Sequence, residues 1–206
     1  KPGNVGTVVA LTRHLRDGTL DTTFGTGGEA VVQVSARGDS ARAVAIQPDG
    51  KIVIAGWSDD TGIDANFMLL RLLPDGSLDG SFAQGGKLKV PFGTGTDRAH
   101  AVAIQDDGRI VAAGTTLSST STTGQDFALI RVMPDGTLDA SFGQGGKVVT
   151  PMQPSSGGDI VYALALPRIN GDQRILAVGG EGDFIAARYT ASGALDASFG
   201  SGGKAV

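Results

Sequence analysis

The feature that most constrains this 206-residue chain is one short stretch that it writes four times. "LDASFGQGGKVV" begins at Leu138, and close variants begin at Leu20, Leu78 and Leu195. Their phenylalanines, Phe24, Phe82, Phe142 and Phe199, stand 58, 60 and 57 residues apart. A fixed period of this length signals one supersecondary unit used repeatedly, because a single unit cannot bury its own apolar faces. The chain reads as a single segment over 1–206, with repeats at approximately 20–77, 78–137 and 138–194. Partial repeats occupy 1–19 and 195–206. It opens at Lys1 without a signal-peptide pattern, and reads as a piece of something longer or a product of processing.

Each repeat holds four short apolar runs, A to D. In the middle repeat they are "KLKVPF", "HAVAIQ", "RIVAAG" and "FALIRV". Runs of this length bounded by Gly, Asp and Pro predict strands, since helices need longer periodic stretches. "PDG" at Pro48–Gly50 and "DDG" at Asp106–Gly108 predict B–C hairpins, and the third repeat carries a looser "RINGDQ" there. In "KIVIAGW", Ile52 and Ile54 point one way while Val53 and Ala55 point the other, so both faces are apolar.

A sheet apolar on both faces must be covered on both faces. Stacking such four-stranded antiparallel sheets predicts an all-β fold, a β-propeller of about three complete blades with partial blades at both ends. A β-helix has shorter rungs. Small residues on strand B (Ala43 and Ala45, Ala101 and Ala103, Ala163 and Ala165) suit close blade contact. Thirty-three glycines with 40% hydrophobic residues fit many tight turns around real core segments. The absence of cysteine excludes disulfides, a thiolate nucleophile and a cysteine metal site. A net charge of −4 gives no reason to expect nucleic acid as a partner, and no run of 18 apolar residues predicts membrane insertion.

The recurrent "PDGSLDGSFAQGGK", "PDGTLDASFGQGGK" and "ASGALDASFGSGGK", each after an F-x-x-x-R strand, resemble the bacterial delta-60 repeat family. The resemblance covers essentially the whole chain. It implies a β-propeller and a secreted or cell-surface setting, with no assigned activity. Repeat three departs from it in the B–C turn, and "SFAQGG" has Ala83 where the other copies have Gly.

The repeated motif falls between strand D and the next strand A, and reads as a joint from one blade to the next. Asp75 and Asp79, or Asp135 and Asp139, stand four apart as in a metal loop. They lack the alternating oxygens and late Glu of an EF-hand. The strand D arginines Arg13, Arg71, Arg131 and Arg188 each precede an aspartate by eight residues: Asp21, Asp79, Asp139 and Asp196. A repeated internal ion pair explains both columns, and outweighs a basic ring that binds an anion.

A third column, Asp39, Asp97 and Asp159, is the best repeated candidate for binding, although each aspartate could instead cap its own loop. The "SDDTGID" loop, with Asp59, Asp60 and Asp64, is a candidate for calcium, and a solvated loop is the simpler account. No other cofactor or metal is expected. His100 stands in strand B where the other repeats have Arg42 and Tyr162, and joins the binding candidates. His14 replaces the Leu72 position. No G-x-S-x-G elbow supports a His100–Asp97 catalytic assembly. "GTGTD" and "GTGGE" lack the Lys of a P-loop.

The C–D connections vary most, from "SDDTGIDAN" to "TTLSSTSTTGQD" to "EGD", and the A–B connections vary too. Both should emerge at one end of the sheets, where a partner would be sought. The expected function is a non-catalytic extracellular or cell-surface module for ligand binding, adhesion or protein–protein interaction. The alternatives are a hydrolase or lyase with a polar site at the propeller axis, and a structural spacer. Three blades are few for a closed ring, so another chain or the remainder of a longer protein is expected to complete it.

Overall fold

A computed structural model describes residues 6–118, 124–152, 158–180 and 183–206. Among these residues every regular element is a strand and there is no helix. Strands β1 (Val9–Thr12) and β2 (Glu29–Val32) form a two-stranded first sheet. The second sheet holds β3 (Gly38–Ile46), β4 (Ile52–Asp59), β5 (Ala65–Leu72) and β6 (Lys87–Val90) in that order. The third repeats it with β7 (Gly95–Ile104), β8 (Ile110–Ser118), β9 (Asp126–Val132) and β10 (Lys147–Thr150).

In the fourth sheet, β11 (Val161–Ala165) is followed by a small hairpin of β12 (Arg168–Ile169) and β13 (Asp172–Gln173). "RINGDQ" is thus itself a hairpin, turning at Asn170 and Gly171, both of positive φ. The sheet then runs through β14 (Ile175–Gly179), β15 (Ile185–Tyr189) and β16 (Lys204–Ala205). All pairings between strands are antiparallel.

Sheet and sequence repeat are out of phase. Each four-stranded sheet contains strands B, C and D of one repeat and strand A of the next. The motif therefore lies inside a sheet, as a long hairpin from D to A, rather than linking one sheet to the next. Two features cause this. The turn after strand D bridges Leu72 to Leu78, which sends the chain back until Phe67 faces Val90. Strand A then ends at Pro91 or Pro151, which cannot donate to a ladder, and the chain crosses to the following sheet. One consequence is that residues 204–205 complete the fourth sheet, and only the first sheet lacks its B and C strands.

Period-two alternation divides the apolar residues between two neighbours. Ile52, Ile54, Met68 and Leu70 pack toward the first sheet, with Val9, Phe24 and Val32. Val53, Ala55, Phe67 and Leu69 pack toward the third, with Ala99, Ile110 and Ile130. On the other face of the third sheet, Val111, Phe127 and Leu129 meet Val161, Ile175 and Tyr189 of the fourth. Phe82 and Phe142, the motif phenylalanines of the second and third sheets, are fully buried in these layers.

Candidate functional site

The joint is built identically in successive sheets. Asp79 accepts from the backbone N–H of Ser81 at 3.0 Å and from its hydroxyl at 2.6 Å, which closes the turn after strand β5. Its other oxygen accepts from Arg71 Nε at 2.8 Å, and the guanidinium lies over the Phe82 ring at 4.5 Å. Arg131 repeats the set with Asp139 at 2.8 Å and Phe142 at 4.7 Å, and Arg188 with Asp196 at 2.9 Å and Phe199 at 4.8 Å. Arg13 and Asp21 meet at 2.8 Å in the first sheet.

Two further bonds tie each of the first three motifs to the next sheet. Arg71 Nη1 donates to the carbonyl of Pro134, while the Ala83 N–H donates to the carbonyl of Asp135 at 2.8 Å. Arg131 donates likewise to Ala191, and Gly143 to Ser192 at 2.8 Å. The motif is thus a joint after all, because its hydrogen bonds cross between sheets while its chain does not. The motif lysines add to it: Lys87 Nζ donates to the Gln33 carbonyl at 2.7 Å, and Lys147 and Lys204 to Pro91 and Pro151.

Burial opposes ionisation of Asp79 and Asp139, but the hydrogen bonds from Ser81 and Ser141 and the charges of Arg71 and Arg131 outweigh it. Both carboxyls are held at about 2. Asp75 and Asp135, the other half of the metal-loop spacing, close their own turns through Ser77 and Thr137. A column that sequence reasoning missed supplies a second cation to each joint: Lys51, Arg109 and Arg174 reach Asp79, Asp139 and Asp196 at 3.6, 2.9 and 3.3 Å. Its signal was a basic residue at the start of every strand C.

The aspartates before strand B cap the A–B loops. Buried Asp39 accepts from the N–H groups of Val34 at 2.7 Å and Ser35 at 3.0 Å. Asp97 accepts from Phe92 N–H at 2.7 Å and from the Thr116 hydroxyl, and Asp159 from Met152 N–H at 3.2 Å. Burial raises the Asp97 carboxyl above its ordinary range. In the calcium-candidate loop, Asp59 closes a turn onto Thr61 and Gly62, and Asp60 pairs with Lys89. Asp64 offers its backbone carbonyl to Asn66 at 3.4 Å. Among the described residues no three His, Asp or Glu side chains are grouped to hold a metal ion.

The A–B and C–D loops do share an end. A cleft there is lined by Arg37 and Gly38 of one loop and by Asp59 and Gly62 of the other. The B–C and D–A turns line a cleft at the opposite end, with Asp107, Arg109, Ala191 and Ser192. Parts of the variable loops, residues 119–123, 153–157 and 181–182, lie outside the described residues.

His100 is placed by a feature with a signal of its own. Each B strand carries a β-bulge at one position: between Ala41 and Ala43, Ala99 and Ala101, and Val161 and Ala163. The extra residues are Arg42, His100 and Tyr162, and a bulge aims such a residue out of the ladder. Opposite each bulge strand C has a glycine, Gly56, Gly114 or Gly179. A Cβ at Gly114 would stand 1.9 Å from the Arg98 carbonyl oxygen, so only glycine fits. A glycine four or five residues into every strand C, within the strand at Gly56 and Gly114 and at its end at Gly179, was the legible mark of this device. Among the described residues His100 Nε2 has no hydrogen-bond partner, and its ring meets Tyr162 edge-on at 6.3 Å.

These observations define an all-β chain of stacked four-stranded antiparallel sheets, held by repeated inter-sheet joints. Residues 47–82, 105–142 and 174–199 match the family described as "Domain of unknown function (DUF5122) beta-propeller". The first two matches run from the end of strand B, and the third from the start of strand C, to the phenylalanine of a joint. The chain carries repeats of this β-propeller family, the delta-60 type that its motifs resemble. No curated protein matches the chain.

Proposed function

We propose that the chain is a non-catalytic interaction module, a β-propeller segment of three blades and the outer half of another, working in a secreted or cell-surface setting. The setting rests on the family resemblance. The module reading rests on Phe184. Phe67, Phe127 and Phe184 hold the same place in the repeat, the first two inside strand D and Phe184 one residue before β15; the first two are 0% exposed, and Phe184 is 72% exposed. Phe67 and Phe127 each have a following sheet to cover them, and Phe184 has none in this chain. At the other end Val44 and Ile46 are 59% and 62% exposed, while the equivalent Val102 and Ile104 pack against the sheet before them.

The occupant that fits both faces is a sheet of the same repeat type, on a partner chain or in the remainder of a longer protein, because the covered copies show what lies there. The columns of charged residues favour a non-catalytic role. Every joint arginine and aspartate pairs internally, and the Asp39 column caps loops. Light scattering on the purified chain should show association, weakened by Phe184→Lys and by Val44→Lys. A single-chain mass at every concentration, unchanged by either substitution, would falsify the reading.

A further inference from the structure

The bulge residues differ from one repeat to the next on an otherwise uniform strand. Ala41 and Ala43, Ala99 and Ala101, and Val161 and Ala163 flank Arg42, His100 and Tyr162. Strands β3, β7 and β11 are edge strands, and β7 packs beside both β3 and β11, so the three bulges follow one another along one side of the stack. The charges there differ from those of the joints. Arginines of the joints and of strand C meet carboxylates. Arg42 and Arg98 form no ion pair among the described residues. Arg98 lies 5.6 Å from the Trp57 ring centroid instead, and its Nε and Trp57 Nε1 are buried donors without acceptors among the described residues. Buried donors are rarely left so, and two uncompensated cations beside them ask for an anion.

We infer that this side of the stack, along β3, β7 and β11, binds the oxyanion group of a ligand, a carboxylate or a phosphate, through Arg42 and Arg98, with Trp57 and Tyr162 as its aromatic walls. The inference deepens the reading of the chain as an interaction module. It remains separable from end-to-end association, since all three strands belong to one chain. The His100 imidazole reports on the site. Burial and the charges of Arg42 and Arg98 lower its pKa, and a bound anion would offset those charges and raise it.

The chain has two histidines, and His14 lies apart in the first sheet's turn, bonded to Gly18 and Thr12. Proton NMR titrations with inorganic phosphate and with acetate should therefore each have an internal control. The expected result is a saturable shift and a raised pKa at His100, with His14 unmoved. Tighter binding of phosphate assigns a phosphorylated ligand, and tighter binding of acetate a carboxylate. Arg98→Gln should weaken binding about tenfold, the weight of one charge-assisted hydrogen bond, with Arg98→Lys restoring part of it. Arg42→Gln changes an exposed side chain and keeps the test open if Arg98→Gln does not fold. No saturable shift with either anion, or equal binding by both Gln variants and the native chain, would overturn the site.

Discussion

The joints at Arg71 and Arg13 are written in nearly the same residues and make the same bonds, yet their surroundings differ. The side chains of Arg71 and Asp79 are 3% and 6% exposed, against 37% and 14% for Arg13 and Asp21. Arg71 sits in a full four-stranded sheet, where Lys51 of the adjoining strand brings a second cation to Asp79. The first sheet has no B or C strand, so water reaches Arg13. Stripping one partner from a sealed pair leaves an unpaired buried charge, while a wet pair loses little. The same sequence motif therefore carries different energies according to what covers it.

The largest effect should come from breaking a sealed joint. Removing both cations of one joint, Arg131→Ala with Arg109→Ala, leaves Asp139 unpaired and is expected to cost at least about 3–5 kcal/mol in urea unfolding. Arg13→Ala should cost less than about 1 kcal/mol. Equal losses would break the comparison and make the arginine's own bonds, rather than its cover, decisive.

Next comes the bulge. Gly114→Ala places a methyl group against the Arg98 carbonyl, and should cost more than about 2 kcal/mol unless the bulge is abandoned. Loss of the His100–Tyr162 ring contact in NMR would mark that abandonment.

Acid sharpens the contrast between joints. Asp79 and Asp139 titrate at about 2 in the folded chain and near the ordinary 3.8 when unfolded. Their lowered values contribute stability that is complete above about pH 4 and lost as pH falls through about 2. Thermal melts of Asp79→Asn and Asp139→Asn should therefore depend less on pH in that window than those of the native chain. A native-like acid limb in both variants would point to other carboxylates.

The smallest effect is expected at the bare end. Val44→Lys should leave the stability of a single chain within about 0.5 kcal/mol, since the side chain already faces water. Val102→Lys, at the covered copy of that position, should cost clearly more in the same assay. A large loss at Val44 under dilute conditions would show that the first sheet covers it in solution.

Much of this fold was legible because its information is local. The period, the strand lengths, the two apolar faces and the eight-residue spacing of arginine to aspartate all follow from short-range geometry. The structure pairs Arg71 with Asp79, Arg131 with Asp139 and Arg188 with Asp196. The phase of the sheets was not legible in the same way. The D–A and A–B connections both contain turn-forming residues, and composition alone does not say which one folds back. The column at Lys51, Arg109 and Arg174 was hidden for a similar reason, since its partners lie across a strand rather than along it.

The sequence by itself determined that this chain is a repeat of short two-faced strands with a charged pin in every unit. That follows from alternation and spacing, which hold wherever the strands end up. Only the tertiary structure decided which strand closes which sheet, and that the pins reach across to the next sheet's carbonyls. It also decided that Arg42, His100 and Tyr162 leave the ladder at the same edge of successive sheets. Those outcomes depend on which surfaces meet, and a neighbour's identity is not written in the residues that await it.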